Sequence, residues 1–155
     1  MQLVAHEDVE APVEYVFEQV SDFATHERAA LRRGADVQRA DTLDVPGPGM
    51  RWNTRFDFRG KRRNVTFELV TFDPPTGLVI DSQSTNLGGR MVLDLVALSR
   101  LRTRISMRVD VTPRTLTARL FLQSLKLARV NPTLKFRDRV AGYATDLEER
   151  YKATA

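Results

Sequence analysis

Side chains able to carry acid–base chemistry are few in this sequence and widely spaced. The histidines are His6 and His26, and a histidine titrates close enough to neutrality to serve as a general base. His26 falls in a short helical stretch near the mouth of the expected cavity, but its neighbour Glu27 points elsewhere on a helix and cannot orient it. His6 stands on an edge strand. Neither has a partner at i, i+4 or a nearby carboxylate cluster, so no metal centre is predicted. The chain has no cysteine, which excludes disulfides, thiolate ligands and a cysteine nucleophile. There is no glycine-rich phosphate loop and no nucleophile elbow; Gly47-Pro48-Gly49 reads as a turn. Tyr15 and Tyr143 could donate a proton. The catalytic candidates are therefore His26, Tyr15 and Tyr143, and no cofactor is expected.

Binding offers more material than catalysis. Along the strand-like segments, Trp52, Phe56, Phe67, Leu93 and Met107 share the inward side by alternation, while Leu120, Phe121 and Tyr143 fall on the C-terminal helical segment. Ligand sites are mostly apolar with a few placed polar groups, so this set is the candidate wall of a pocket. Thr54, Ser82 and Ser84 are hydroxyls on the apolar side. Ser82 is the candidate polar contact, although a buried hydroxyl more often bonds backbone or water. The strand patterns place almost no arginine or acid inward.

These side chains need elements to hold them. Gln2 to Glu10 alternates as a first strand, with Leu3, Ala5 and Val9 inward. Ala11-Pro12 opens a helix whose stripe is Val13, Val16, Phe17 and Val20. Thr25 is expected to cap a second short helix to Arg33, with Gly34 as its stop. From Ala35 to Val111 the period becomes two, as in an antiparallel meander. The runs are Ala35 to Leu43, Arg51 to Arg59, Asn64 to Phe72, Leu78 to Ser84, Met91 to Ala97 and Arg104 to Val111. Gly60-Lys61 turns the chain and Gly88-Gly89 is a hairpin signal. Thr115 to Lys152 is rich in helix formers and carries the stripe Phe136, Val140, Tyr143, Ala144, Leu147 and Tyr151. Unbroken, it would span about 57 Å at ~1.5 Å per residue, far beyond a domain with a radius of gyration of about 15 Å. It must break, and Asn131-Pro132 is the place.

An ordinary composition, 42% hydrophobic and 28% charged over 155 residues, fits one domain over 1–155. The first basic residue is Arg28, so no secretory signal or membrane span is expected and a cytoplasmic setting fits. Net charge is +4 but uneven. Residues 1–27 are acidic, whereas Arg51, Arg55, Arg59, Arg62 and Arg63, with Arg104, are expected to form a basic outer face open to a ribosome or another macromolecular partner.

Strand, two helices, six strands and a long helix is an α+β order: a curved antiparallel sheet of about seven strands wrapped on the C-terminal helix. The residues Ala11-Pro12-Val13-Glu14-Tyr15-Val16-Phe17, Val20-Ser21-Asp22-Phe23, Gly49-Met50-Arg51-Trp52 and Val65 to Pro75 resemble the START-like, helix-grip (SRPBCC) superfamily. Leu147-Glu148-Glu149-Arg150-Tyr151 is similar to its usual ending. That superfamily includes polyketide cyclases and dehydratases, lipid-transfer START domains and Bet v 1-like proteins. The resemblance implies a cavity for a lipid, polyketide, sterol-like or isoprenoid molecule. Its members divide into carriers, cyclase or dehydratase-like enzymes and partner-binding modules of ribosomes or quinone biosynthesis. The leading expectation is a largely non-catalytic binder, monomeric or dimeric, gated by Thr25–Arg33, Val45–Gly49 and Ser84–Gly89.

Overall fold

The computed structural model describes residues 1–128 and 131–154. The elements are β1 (Gln2–Val9), α1 (Val13–Val20), α2 (Phe23–Arg32), β2 (Asp36–Arg39), β3 (Arg51–Phe58), β4 (Lys61–Asp73), β5 (Gly77–Gln83), β6 (Leu87–Ser99), β7 (Arg102–Pro113), α3 (Leu116–Leu127) and α4 (Pro132–Ala153). The strands form one antiparallel sheet of seven, ordered β1-β7-β6-β5-β4-β3-β2. Sequential strands are neighbours except β1, which returns to pair with β7 and so frames the first helices against the sheet.

Helix boundaries follow local chemistry. Asp22, not Thr25, caps α2: its carboxylate accepts the Thr25 backbone N–H and the Thr25 hydroxyl. A carboxylate satisfies the orphan donors of a first turn better than a hydroxyl already inside it. Gly34, with φ of 92°, follows α2 as its stop. The C-terminal segment breaks where proline dictates: Asn131 caps α4 by accepting from Thr133 N–H at 3.0 Å, and Pro132 occupies the first turn.

The strand expected over Ala35–Leu43 shrinks to β2. Beyond Arg39 the carboxylate of Asp41 takes the Arg39 guanidinium and the backbone N–H groups of Leu43 and Arg51, replacing ladder pairing by a local side-chain hub. These donors hold the Asp41 carboxyl well below its usual range, the Arg39 bond first among them. The hairpin placed at Gly88-Gly89 instead turns at Ser84–Leu87, where Ser84 N–H bonds Leu87 C=O at 2.9 Å and the Ser84 hydroxyl accepts Leu87 N–H. Both glycines lie inside β6. A Cβ on Gly89 would come within 2.5 Å of Ser82 Oγ across the sheet, so the glycine makes room for that hydroxyl.

On the outer face most of the arginines sit beside carboxylates, Arg55 excepted among the described residues. Arg51 faces Glu68, Arg62 faces Asp36 and Asp57, Arg90 faces Asp81, and Arg104 and Arg102 face Asp8. The acidic start and the basic strands are separated in sequence but adjacent in space, because β1 pairs with β7. Their charges largely cancel across strands.

The core gathers at one end of the sheet. Val9, Val16, Leu69, Ile105 and Leu147 are almost fully buried, and Phe17, Phe23, Met50, Trp52, Leu78, Leu93 and Leu95 are among the residues that join them in one cluster. Phe72 packs on Phe17 at 5.4 Å and on Phe23 at 6.4 Å, and Phe23 lies 5.2 Å from Trp52. From α4 come Val140, Ala144 and Leu147, one face of the expected stripe.

Candidate functional site

Burial falls off along each strand away from this core. On β3 it declines from Trp52, nearly buried, to Phe58, 48% exposed; on β4 it declines from Leu69 towards Lys61. At that loosened end a cleft of about 790 Å³ opens between the β3–β4 hairpin, the 84–87 turn and α3. Its apolar wall is Phe56, Phe58, Val65, Leu87, Ala118 and Phe121, and Ser84, Thr85, Asn86, Asn64 and Thr117 add polar groups. The volume falls in the range usual for small-molecule sites, roughly 300–1,000 Å³.

Each wall has a local cause. The β3–β4 hairpin closes on the two residues Arg59 and Gly60, both at positive φ, 52° and 75°. A two-residue hairpin of that hand needs positive φ at both positions, which glycine adopts freely and arginine only at a cost. The Arg59 guanidinium lies over the rings of Phe121, at 4.8 Å, and Phe58, at 5.6 Å. It thereby ties the hairpin tip to α3. Thr115 caps α3 by accepting Ala118 N–H, and its hydroxyl lies 3.3 Å from the Asn86 side chain, which fixes the helix start beside the 84–87 turn.

The candidate pocket residues separate into groups. Phe56 and Phe121 line the cleft. Trp52 and Leu93 are core, and Phe67 and Met107 are half-buried against that core. Trp52 also donates its indole N–H to Glu27 on α2 at 2.6 Å, a latch that closes the filled end. Ser82 is half-buried on β5, opposite Phe67 and Gly89. Leu120 contradicts the expected inward position: it is 58% exposed, because one helix turn places Ala118, Phe121 and Leu122 toward the protein and Leu116 and Leu120 away.

The candidate proton donors stand elsewhere. His26 is exposed, with Nε2 3.1 Å from the Val20 carbonyl. Tyr15 stacks on Tyr151 at 4.9 Å. Tyr143 is largely buried and its hydroxyl has no hydrogen-bond partner among the described residues; burial raises its pKa, partly offset by the Arg150 cation. None of the three lines the cleft. Of the expected gates, the 84–87 turn borders it, whereas α2 and the 45–49 loop stand at the opposite end of β3.

One functional candidate escaped the sequence reading. Arg63 pairs with Phe56 across β3 and β4, and two residues on is Val65, so Arg63 shares their inner face. It lines the cleft. Its Nε is buried without a partner among the described residues. Counting Arg63 with the outer basic residues was therefore incorrect. The signal was present in the alternation: Arg63, Val65, Phe67 and Leu69 have one parity, and strand parity outranks charge as a guide to facing.

No family model and no curated protein matches the chain. Solved structures do. Ara h 8.0201 superposes with a TM-score of 0.64 at 12% identity, covering 100% of this chain and 99% of its own. A START superfamily protein from Mycobacterium smegmatis gives 0.61 at 13%, with 99% of both chains covered. The fold is the START-like helix grip. The ZhuI aromatase/cyclase from Streptomyces sp. R1128 shares this helix-grip fold at a TM-score of 0.59 and 17% identity, over 90% of this chain and 94% of its own. Identities this low speak for architecture, and a helix-grip fold hosts more than one function. Among the described residues no helix is long and apolar enough to cross a membrane.

Proposed function

We propose that this protein binds a small hydrophobic molecule, of lipid, polyketide or isoprenoid type, in the cleft between the β3–β4 hairpin, the 84–87 turn and α3. The observation that carries this reading is an open, mainly apolar cleft set beside an already filled core. A molecule burying about 300 Å² of apolar surface there would gain about 7 kcal/mol at ~25 cal/mol per Å², before the costs of association. The likeness in fold to START superfamily and aromatase/cyclase structures fits a small hydrophobic ligand at that general level.

Binding is favoured over turnover by the composition of the wall. Among the described residues the lining includes no His, Asp, Glu or Tyr, so a bound molecule meets hydroxyls, amides and cations, with Lys61 alone among the usual acid–base side chains. The outer face supports a macromolecular partner less, since Arg51, Arg62, Arg90 and Arg104 there already face carboxylates.

The test uses the neutral fluorophore N-phenyl-1-naphthylamine. Wild-type protein should enhance its emission with saturation, and Thr117→Trp, an exposed position of the cleft wall on α3, should abolish that enhancement while leaving thermal unfolding close to wild type. Equal enhancement by both proteins would place the probe elsewhere and refute the assignment.

A further inference from the structure

The cleft carries charge of one sign. Arg59, Lys61, Arg62 and Arg63 line it, and no Asp or Glu of the described residues does. Arg62 is already engaged, its guanidinium facing Asp36 and Asp57. Arg59, Lys61 and Arg63 make no ion pair with a described residue.

Solvation accounts for a lysine at a hairpin tip. It does not account for Arg63, half-buried on the inner face beside Phe56 and Val65, with Nε withdrawn from water and without a partner among the described residues. A buried N–H with no acceptor is disfavoured, and an anionic acceptor satisfies a guanidinium best. Arg59 occupies a positive-φ position that asparagine or glycine would fill at less strain, and its guanidinium is held over Phe121 at the mouth. The two observations are independent, one of an unpaired buried donor and one conformational, and both residues line the same cleft.

We infer that the cleft selects amphiphiles with an anionic head, carboxylate or phosphate monoester. The apolar body lies along Phe56, Val65 and Phe121, and the head meets Arg63, with Arg59 and Lys61 at the rim. This inference rests on the cleft being the ligand site and narrows its ligand class. Arginine suits the task because its guanidinium stays charged and presents several fixed donors to an oxyanion.

The experiment compares displacement of N-phenyl-1-naphthylamine by dodecanoate, dodecyl phosphate and dodecan-1-ol, all below their micellar concentrations. Wild-type protein should bind at least one anion about tenfold to a hundredfold more tightly than the alcohol, the range of a charge-assisted hydrogen-bonded contact partly removed from water. Whichever anion is preferred names the head. Arg63→Met should erase the preference while still binding the fluorophore and the alcohol, which also shows that the variant is folded. Arg63→Lys should restore part of it. Equal affinity of the alcohol and both anions for wild type, or a preference that survives Arg63→Met, would overturn the anionic-head inference and leave the cleft itself standing. Failure of the fluorophore to bind wild type at all would overturn both.

Discussion

The two ends of the sheet are built from the same strands and solve opposite problems. At the β3 start, Trp52, Leu69, Phe23 and Phe72 interlock under α1, α2 and α4, and little room is left. At the β3 end, Phe56 and Phe58 face a cleft that only α3 and two turns border. The difference comes from what covers each end. The 22-residue α4 lies along β1 with Val140, Ala144 and Leu147 inward, whereas α3 has 12 residues and buries only Ala118 and Leu122. A single unbroken helix would have covered both ends alike. The break before Pro132 separates the filled half from the half that holds the cleft.

That division can be broken deliberately. Leu147→Ala, at the filled end, should lower unfolding free energy by about 2–5 kcal/mol, since a wholly buried leucine leaves a cavity; urea denaturation followed by circular dichroism measures it. A loss under 1 kcal/mol would mean that the filled end is looser than described. Trp52→Phe removes the indole bond to Glu27 and part of the ring, and should cost about 1–3 kcal/mol by the same assay. Glu27→Gln, which keeps an acceptor, should cost less than Trp52→Phe.

Asp41 supplies a pH test at the filled end. Its carboxyl is depressed below the ordinary 3.8 by the Arg39, Arg51 and Leu43 donors. A depressed acid stabilises the fold above its unfolded-state pKa, and the contribution is lost as pH falls through the folded value. Wild type and Asp41→Asn should therefore differ in stability at pH 6 and converge as pH drops below about 4. An unchanged difference at pH 3 would deny Asp41 its hub role. At the open end effects on stability should be smaller: Phe121→Ala should cost about 1–2 kcal/mol, less than Leu147→Ala, because its side chain is only partly buried, while weakening fluorophore binding. Arg59→Asn should be neutral or stabilising by up to about 1 kcal/mol, since asparagine accepts positive φ more readily. Marked destabilisation would show that the stacking over Phe121 outweighs the backbone strain.

Most of the architecture was legible because it rests on local periods and punctuation. The Val13–Val20 stripe, the alternation from Arg51 to Phe58 and the proline break each depend on residues close in sequence. What escaped depended on contacts between distant segments. Asp41 ended a strand early through a bond to Arg51 N–H, and the acidic N-terminus met the basic β7 only through sheet closure. Leu120 was placed inward from its helix alone, but whether a helical face is covered depends on what lies opposite. Arg63 is the instructive exception. Its inward position is readable from the parity it shares with Val65 and Phe67, and the charge run Lys61, Arg62 and Arg63 masks that parity.

The most direct test of the division between ends is a titration of ¹⁵N-labelled protein with dodecan-1-ol, followed by amide chemical shifts. Shifts should concentrate at residues 56–65, 84–87 and 117–121, the walls of the cleft, and leave Val16, Phe23, Leu69 and Leu147 nearly unmoved. Shifts centred on those buried residues instead, with the hairpin and α3 silent, would contradict the account.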